Sequence, residues 1–290
     1  MKKKFCSGLP ALLFLIVLSF ACRKSNIPDS VNPPPPNGGD STHSNPTGTD
    51  GKVPYPVIRI TGCPNGPDYG DTLIYPQPAN GQDYIVSPVN NPGAGKYYSW
   101  PEGMVIDSIS GAINVTRSET GVKFDIGFVK NGTTDTCLTR VTLAGASYMD
   151  SVYVLANNET KAYPYFNAKP LQTTAPNGSH FDITKAAYGQ KISVNNGTGI
   201  IDLKNTLSAF GALPVNGQTV ETTMYYTLND GSNNALQQIT VQLMYYYQKS
   251  QISSGLLNSI LLKRLNILNE DLILKSGKVR PPLIIITRFN

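Results

Sequence analysis

Residue types that carry out chemistry are few in this chain, and each occurs in a distinct pattern. The 290 residues include four cysteines, two histidines and one tryptophan. Cysteine can carry a lipid or a disulfide, and histidine can transfer protons. Ser179, His180 and Asp182 have the residue types of a hydrolytic triad. Neighbouring side chains of an extended segment point in opposite directions, and triads are assembled in space, so this spacing predicts no catalytic group.

Cys22 stands at the end of an apparent export signal. Three lysines at positions 2–4 precede an apolar run of 12 residues, 9–20, which is shorter than the ~20 helical residues that span a bilayer. A charged start and a short apolar core predict a signal peptide over 1–21. Ser-Phe-Ala-Cys at 19–22 resembles the lipobox of bacterial lipoproteins. That resemblance implies that Cys22 is diacylated and becomes the new N-terminus; the alternative is an ordinary signal peptide cut elsewhere.

A spacer follows Cys22. Residues 22–52 contain the run PPPP at 33–36 and are otherwise rich in Gly, Ser, Thr and Asn. Such a segment has too few apolar side chains to offset the entropy of ordering it. We therefore predict a disordered tether that holds a folded module away from a membrane surface.

The net charge excludes one class of partner. The formal charge of +5 includes the three lysines of the signal, and without them 21 basic residues stand against 19 acidic ones. A near-neutral mature chain has no electrostatic footprint for nucleic acid. The expected partners are the membrane, through the N-terminal lipid, and an unknown protein or glycan.

Two cysteines remain in the folded region, Cys63 and Cys137. In an oxidising envelope compartment an even pair predicts a disulfide. The alternative is two buried free thiols on neighbouring strands. No second Cys/His cluster exists that could complete a four-ligand metal site, so we predict neither a metal nor a cofactor.

From residue 53 onward the sequence has the pattern of strands. In residues 122–129, VKFDIGFV, apolar side chains alternate with Lys123, Asp125 and Gly127, as in a half-buried strand. Similar short segments are separated by turn clusters and recur every 8–15 residues or so, which indicates an all-β antiparallel sandwich. The other predicted strands are VIRI (57–60), DTLIY (71–75), DYIVS (83–87), GAINV (111–115), CLTRVTLAG (137–145) and DSVYVLA (150–156).

Residues 100–115, WPEGMVIDSISGAINV, contain a turn motif. Asp107 to Gly111 predicts a tight turn in which Gly111 takes a positive φ. The segment resembles the immunoglobulin-like, cadherin-like repeats of bacterial surface proteins of the Bacteroidetes type. The resemblance covers about 60 residues and implies a β-sandwich module that mediates adhesion or recognition. Its matching residues are Pro101, Gly103, Asp107, Gly111 and Ile113.

A second copy follows the first. TGIIDLKNT at 198–206 parallels SGAINVTRS at 110–118, and this repeat predicts two tandem immunoglobulin-like β-sandwich domains. We place the first at 53–157 and the second at 158–290. The second contains no cysteine, so its stability must come from its core.

The C-terminal part of the second domain has a different pattern. Residues 251–268 carry apolar side chains at helical spacing, with Lys263 and Arg264 off the apolar stripe. PPLIIITR at 281–288 predicts one further strand. We expect a C-terminal helix packed on the second sandwich and a closing strand; the alternative is a helix that binds a partner or a membrane surface.

Aromatic residues suggest a binding surface. Tyr97, Tyr98 and Trp100 form a dense cluster that could stack on sugars, although strands also use tyrosine for ordinary packing. No convergent catalytic set is present in the sequence, so we expect no enzyme. The sequence predicts a lipid-anchored protein of the cell envelope, on the outer membrane, acting in adhesion, recognition or assembly. The alternative is a lipoprotein that binds or processes polysaccharide with a pair of carboxylates.

Overall fold

A computed structural model describes residues 66–134, 136–268 and 281–290, and these form two β-sandwiches, one after the other in the chain. The predicted fold class is confirmed: the protein is all-β, with two tandem immunoglobulin-like sandwiches, a C-terminal helix and a closing strand. Cys22, the tether, Cys63 and the strand predicted at 57–60 lie outside the described residues.

The described residues of the first sandwich form seven strands in two sheets. The strands are β1 (Leu73–Ile74), β2 (Ile85–Val86), β3 (Gly95–Trp100), β4 (Val105–Ile106), β5 (Ile113–Asn114), β6 (Val122–Lys130) and β7 (Thr136–Leu143). One sheet has the order β1-β7-β6-β3 and the other β2-β5-β4. β1 runs parallel to β7, whereas the remaining pairs are antiparallel.

The apolar side chains of the alternation predicted for β6 form part of the core of this sandwich. Phe124, Ile126 and Phe128 are buried between the sheets, because successive side chains of a strand point to opposite faces. They pack with Val141 of the neighbouring β7 and with Ile113 of β5 in the other sheet. β3 was not among the predicted strands, although it pairs with β6 over six residues.

The second sandwich repeats much of this plan. The elements are β8 (Ala146–Tyr148), β9 (Ser151–Val154), β10 (Lys161–Ala162), β11 (Pro164–Phe166), α1 (Ala186–Gly189), β12 (Ser193–Val194), β13 (Ile201–Asp202), α2 (Leu203–Thr206), β14 (Gln218–Tyr226), β15 (Gln237–Gln248), α3 (Ser254–Leu268) and β16 (Leu283–Phe289), with 3₁₀ turns at Leu155–Asn157, Leu207–Phe210 and Lys249–Gln251. The three-stranded sheet β10-β13-β12 corresponds to β2-β5-β4, and β14 and β15 correspond to β6 and β7.

β16 changes the second sandwich most. It lies between β15 and β9 and runs parallel to both, so the sheet order is β14-β15-β16-β9. In the first sandwich the corresponding strands, β7 and β1, pair directly. The side chains of Leu283 to Thr287 are almost completely buried. The closing strand is therefore a central strand of this sheet.

α3 packs on the outer face of this sheet, but in a different orientation from the predicted one. Ile260 is buried against β16, whereas Leu261 and Leu265 of the predicted stripe are about half exposed. Lys263, expected in solvent, lies 3.1 Å from the buried carboxylate of Asp150. That ion pair turns the 260–263 side of the helix toward the sheet. Neither α3 nor any other described helix is long and apolar enough to cross a membrane.

Strand pairing also places the junction between the sandwiches earlier than predicted. β8 pairs with β11 and β9 pairs with β16, so both strands belong to the second sandwich. A division after residue 157 would separate them from their hydrogen-bonded partners, and the junction lies near Gly145. There the Tyr226 hydroxyl accepts a hydrogen bond from the Ala146 N–H at 2.9 Å and lies 2.9 Å from the Thr120 hydroxyl.

Candidate functional site

β3 divides the three predicted aromatic residues between two faces. Tyr97 points into the first core, is 4% exposed and packs on Phe128 with ring centroids 4.9 Å apart. Tyr98 and Trp100 point outward, because an extended chain alternates its side chains. The prediction that all three could stack on a ligand is wrong for Tyr97, which no ligand can reach.

The two outward rings lie together. The ring centroids of Tyr98 and Trp100 are 6.2 Å apart with an interplanar angle of 25°, and Tyr98 is 41% exposed. Gly127 of β6 lies beneath the indole, since a Cβ there would come within 2.7 Å of a Trp100 ring carbon. A glycine at this point of β6 lets the indole lie directly against the strand.

An ion pair lies beside the rings. Asp125 is opposite Trp100 in the strand register, and its Oδ1 accepts a hydrogen bond from Arg140 Nε at 2.9 Å. The Asp125 side chain is nearly buried, whereas that of Arg140 is about one-third exposed. We call Tyr98, Trp100, Asp125 and Arg140 the Trp100 platform. It combines two ring faces with a fixed guanidinium on the outer face of one sheet.

The predicted turn motif is present and supports the same strand from inside. Asp107 Oδ1 accepts hydrogen bonds from the N–H groups of Ile109 (3.0 Å) and Ser110 (2.6 Å). The hydrogen bonds from Ser110, and then the one from Ile109, lower the pKa of the Asp107 carboxyl. Gly111 has φ +72°, and a Cβ there would come within 2.5 Å of the Tyr97 ring. The motif is therefore structural: it packs the turn against Tyr97.

The remaining motif residues also have structural positions. Ile113 is completely buried in β5. Gly103 takes a positive φ in the loop after β3, and Pro101 follows Trp100 through a cis peptide bond. None of the five motif residues belongs to the Trp100 platform, although Pro101 follows it directly in the chain.

The second sandwich repeats this turn with different side chains. Asn195 Oδ1 accepts from the N–H groups of Gly197 (3.1 Å) and Thr198 (3.0 Å), as Asp107 does in the first. Gly199 has φ +72°, and a Cβ there would meet the Phe181 ring at 2.7 Å. The hydroxyl of Tyr148 donates to the Gly199 carbonyl. In the first sandwich Tyr69 donates to the Gly111 carbonyl at 2.7 Å.

The triad-like residues of the second sandwich have separate structural roles. The Ser179 hydroxyl accepts from the Asn229 N–H at 3.3 Å. His180 is exposed and makes a bridge to Thr227 through its backbone. Asp182 accepts from the N–H groups of Ala187 (2.9 Å) and Tyr188 (3.0 Å) at the start of α1. The structure does not bring these residues together as a catalytic group.

Among residues 66–134, 136–268 and 281–290, no three His, Cys, Asp or Glu side chains are grouped so that they could hold a metal ion. Cys137 is half-buried on β7, opposite Phe128 in the register. Its pairing with Cys63 stays a prediction, as does the lipidation of Cys22, because Cys63 and Cys22 lie outside the described residues.

Comparison with known proteins gives distant neighbours. No protein-family model and no curated protein matches the chain. Among solved structures it is similar to PcdhgB3 EC1-4 (TM-score 0.19, 9% identity, 62% of this chain and 50% of that chain). It is also similar to Drosophila N-cadherin EC1-4 (0.20, 10%, 62% and 46%) and to human protocadherin-24 EC1-2 (0.21, 6%, 59% and 91%). The matches to the first two thus span about half of those chains. TM-scores this low support no conclusion about this chain, so the two sandwiches are assigned from strand pairing alone.

Proposed function

We propose that this protein is a recognition module of the cell envelope and that it binds its partner through the Trp100 platform. In this proposal a lipid on Cys22 anchors the chain to the outer membrane, and residues 22–52 hold the two sandwiches away from the surface. The module has no enzymatic activity. It presents a binding face on a rigid sheet, and the partner is a protein or a glycan.

One observation carries the proposal: Tyr98 stacks beside Trp100 on the outer face of its sheet, and 41% of the Tyr98 surface is exposed. The corresponding face of the second sandwich is covered by α3, with Ile260 buried against β16. On the first sandwich the outer face instead presents Tyr98, Trp100 and Arg140. Tyr, Trp and Arg are the residue types that most often dominate binding energy at protein interfaces. The pairing of β3 with β6 holds both rings and the ion pair with Asp125 holds the guanidinium, which reduces the ordering cost of binding.

The buried carboxylates support a binding role over a hydrolytic one. A polysaccharide hydrolase needs two carboxyl groups that face each other across a cleft about 5–10 Å wide. Three nearly buried aspartates of the described residues are each engaged elsewhere. Asp125 pairs with Arg140, Asp150 pairs with Lys263, and Asp182 accepts two backbone N–H groups.

A glycan is the second candidate partner, and the exposed face of Tyr98 favours it. A ring that is 41% exposed offers an apolar surface on which a sugar can stack. This reading keeps the same site and changes only the partner, so one set of variants tests both readings.

Site-specific crosslinking in cells tests the proposal. A photo-reactive phenylalanine analogue replaces Tyr98 in the full chain, and the control carries it at Tyr188, an exposed tyrosine of the second sandwich. We expect an adduct at position 98 that disappears when Arg140→Gln is added, and none at position 188. In parallel, a glycan array should bind the native chain and lose binding with Trp100→Ala if the partner is a glycan. Equal adducts at both positions, together with no glycan whose binding depends on Trp100, would refute the proposal.

A further inference from the structure

A cleft on the second sandwich is separate from the Trp100 platform. It lies between β9, the chain from Asn158 to Tyr163, and α3, and has a volume of about 510 Å³. That volume lies within the ~300–1,000 Å³ of typical small-ligand sites. Its chemistry is set by six lining residues: Ser151, Tyr153, Glu159, Lys161, Tyr163 and Arg264.

Arg264 brings a fixed positive charge to this cleft. Its Nη1 donates a hydrogen bond to Ser151 Oγ at 2.8 Å, which ties α3 to β9. A guanidinium has five N–H donors in a planar fork, so one bond to Ser151 leaves further donors for an anion. Burial raises the pKa of the Tyr153 hydroxyl, while the charge of Arg264 and a hydrogen bond with Ser151 lower it. The two hydroxyls and the guanidinium are therefore close neighbours.

The chain from Glu159 to Tyr163 adds a ring, an ammonium and a carboxylate to the lining of the cleft. Lys161 and Tyr163 project to the same side of the chain, because Ala162 between them is completely buried. Tyr163 is 49% exposed. Glu159 Oε2 accepts from the Val154 N–H at 2.8 Å, which holds this carboxylate at the edge of β9. The residues differ in chemistry, but they face one space.

We propose that this cleft binds a uronic acid residue of an anionic polysaccharide. The sugar carboxylate pairs with Arg264 and Lys161, and the ring of Tyr163 stacks on the apolar face of the sugar. Ring hydroxyls donate to the Glu159 carboxylate. This function goes beyond the recognition proposed for the first sandwich, since it uses other residues on the other domain.

The charge balance of the cleft selects this ligand class. Two cations against one carboxylate give an excess of one positive charge, which favours a singly charged anion over a neutral sugar. A purely inorganic anion would use Arg264 and Lys161 and leave Tyr163 and Glu159 without a role. A sugar acid uses all four groups at once.

The test compares two probes with the same ring. Trigalacturonic acid and its fully methyl-esterified form have the same sugar rings, but the ester carries neutral methyl ester groups in place of the charged carboxylates. Their binding to the purified full chain is measured by calorimetry. We expect the free acid to bind at least tenfold more tightly than the ester, with an affinity that falls as salt is added. Equal binding of acid and ester, or no binding of the acid at millimolar concentration, would overturn the proposal.

Variants locate the site. Tyr163→Ala and Lys161→Gln should each weaken binding of the acid at least fivefold, while Tyr188→Ala and Lys191→Gln, exposed residues elsewhere on the same sandwich, should leave it unchanged. Trp100→Ala should also leave it unchanged, which separates this site from the Trp100 platform. Binding that survives Tyr163→Ala and Lys161→Gln would place the sugar elsewhere and refute the assignment to this cleft.

Discussion

The two sandwiches share an internal turn but complete their four-stranded sheets in different ways. Each packs a glycine with φ +72° against an aromatic ring, Tyr97 in the first and Phe181 in the second. In the first, β1 pairs directly with β7, whereas in the second β16 is inserted between β15 and β9. The outer face of the second sheet is then covered by α3, while the first sheet presents the Trp100 platform. The repeated turn maintains the fold, and the outer faces of the two sheets carry different side chains.

Removing β16 tests the difference most strongly. A chain that ends at residue 280 loses four buried aliphatic side chains, Leu283 to Ile286, each worth about 1.5–3 kcal/mol. This loss is comparable to the ~5–15 kcal/mol that stabilises a typical domain. We therefore expect the second sandwich to lose cooperative folding while the first keeps it. Hydrogen exchange should show unprotected amides in β15 and protected amides in β6; continued protection of β15 would mean that β16 is not needed.

Reduction tests a predicted feature of the first sandwich alone, the disulfide between Cys63 and Cys137. If Cys63 and Cys137 are paired, the bridge closes a loop of about 75 residues and contributes up to ~4 kcal/mol to the first sandwich. The second has no cysteine. Adding a reductant should lower the unfolding free energy of the first sandwich alone, measured by exchange in β6 and β14. The Cys63→Ser variant should reproduce the effect without reductant. A chain whose β6 protection is the same in both redox states contains no such bridge.

Glycine substitutions test the shared turn. Gly111→Ala and Gly199→Ala place a methyl group within 2.5 and 2.7 Å of the Tyr97 and Phe181 rings, in a backbone conformation that alanine disfavours. Each should destabilise its own sandwich by about 2 kcal/mol. Gly197→Ala is the matched control, because it lies in the same turn with its nearest neighbour at 3.7 Å. Denaturant unfolding measures the effect, and a control as damaging as Gly199→Ala would contradict the ring-packing account.

Alkaline pH tests how strongly each sandwich depends on buried, un-ionised tyrosines. Burial raises the pKa of Tyr226 to about 12 and that of Tyr148 even further. Their stabilising contribution is present below the unfolded value near 10 and is lost as the pH rises above it, by about 1.4 kcal/mol per tyrosine at pH 11. Among the described residues, four tyrosines of the second sandwich have raised pKa values, against three of the first, Tyr69, Tyr75 and Tyr97. Exchange at pH 9 and 11 should show the larger loss in the second, and Tyr148→Phe should reduce it.

Local features of the fold were predictable from the sequence. The alternation of 122–129 placed Phe124, Ile126 and Phe128 in the core correctly, because strand periodicity is a property of adjacent residues. The Asp107–Gly111 turn and its copy were predictable for the same reason, since their hydrogen bonds span three or four residues.

Features that depend on distant pairing were not predictable. Nothing in PPLIIITR indicates that its neighbours are β15 and β9, and Tyr153 pairs with Ile286 across 133 positions. The orientation of α3 depends on Asp150, whose carboxylate attracts Lys263 from another element. The prediction that Tyr97 could stack on a ligand used only the presence of three aromatic residues close together in the sequence. The alternation of side chains along β3 places Tyr97 on the opposite face from Tyr98 and Trp100. The cleft of the second sandwich joins residues 151–163 to Arg264, so no local pattern indicates it.

The position of β16 in the sequence delays completion of the second sandwich during synthesis. At about 5–20 residues per second, the 133 positions between Tyr153 and Ile286 take roughly 7–27 s to produce. Throughout that interval β9 has been made but its parallel neighbour has not, while every strand of the first sandwich is already available for folding. Unpaired strand edges invite pairing with other chains. The nascent protein therefore has a defined period of vulnerability, and it is in those seconds that a chaperone would have to protect the second sandwich.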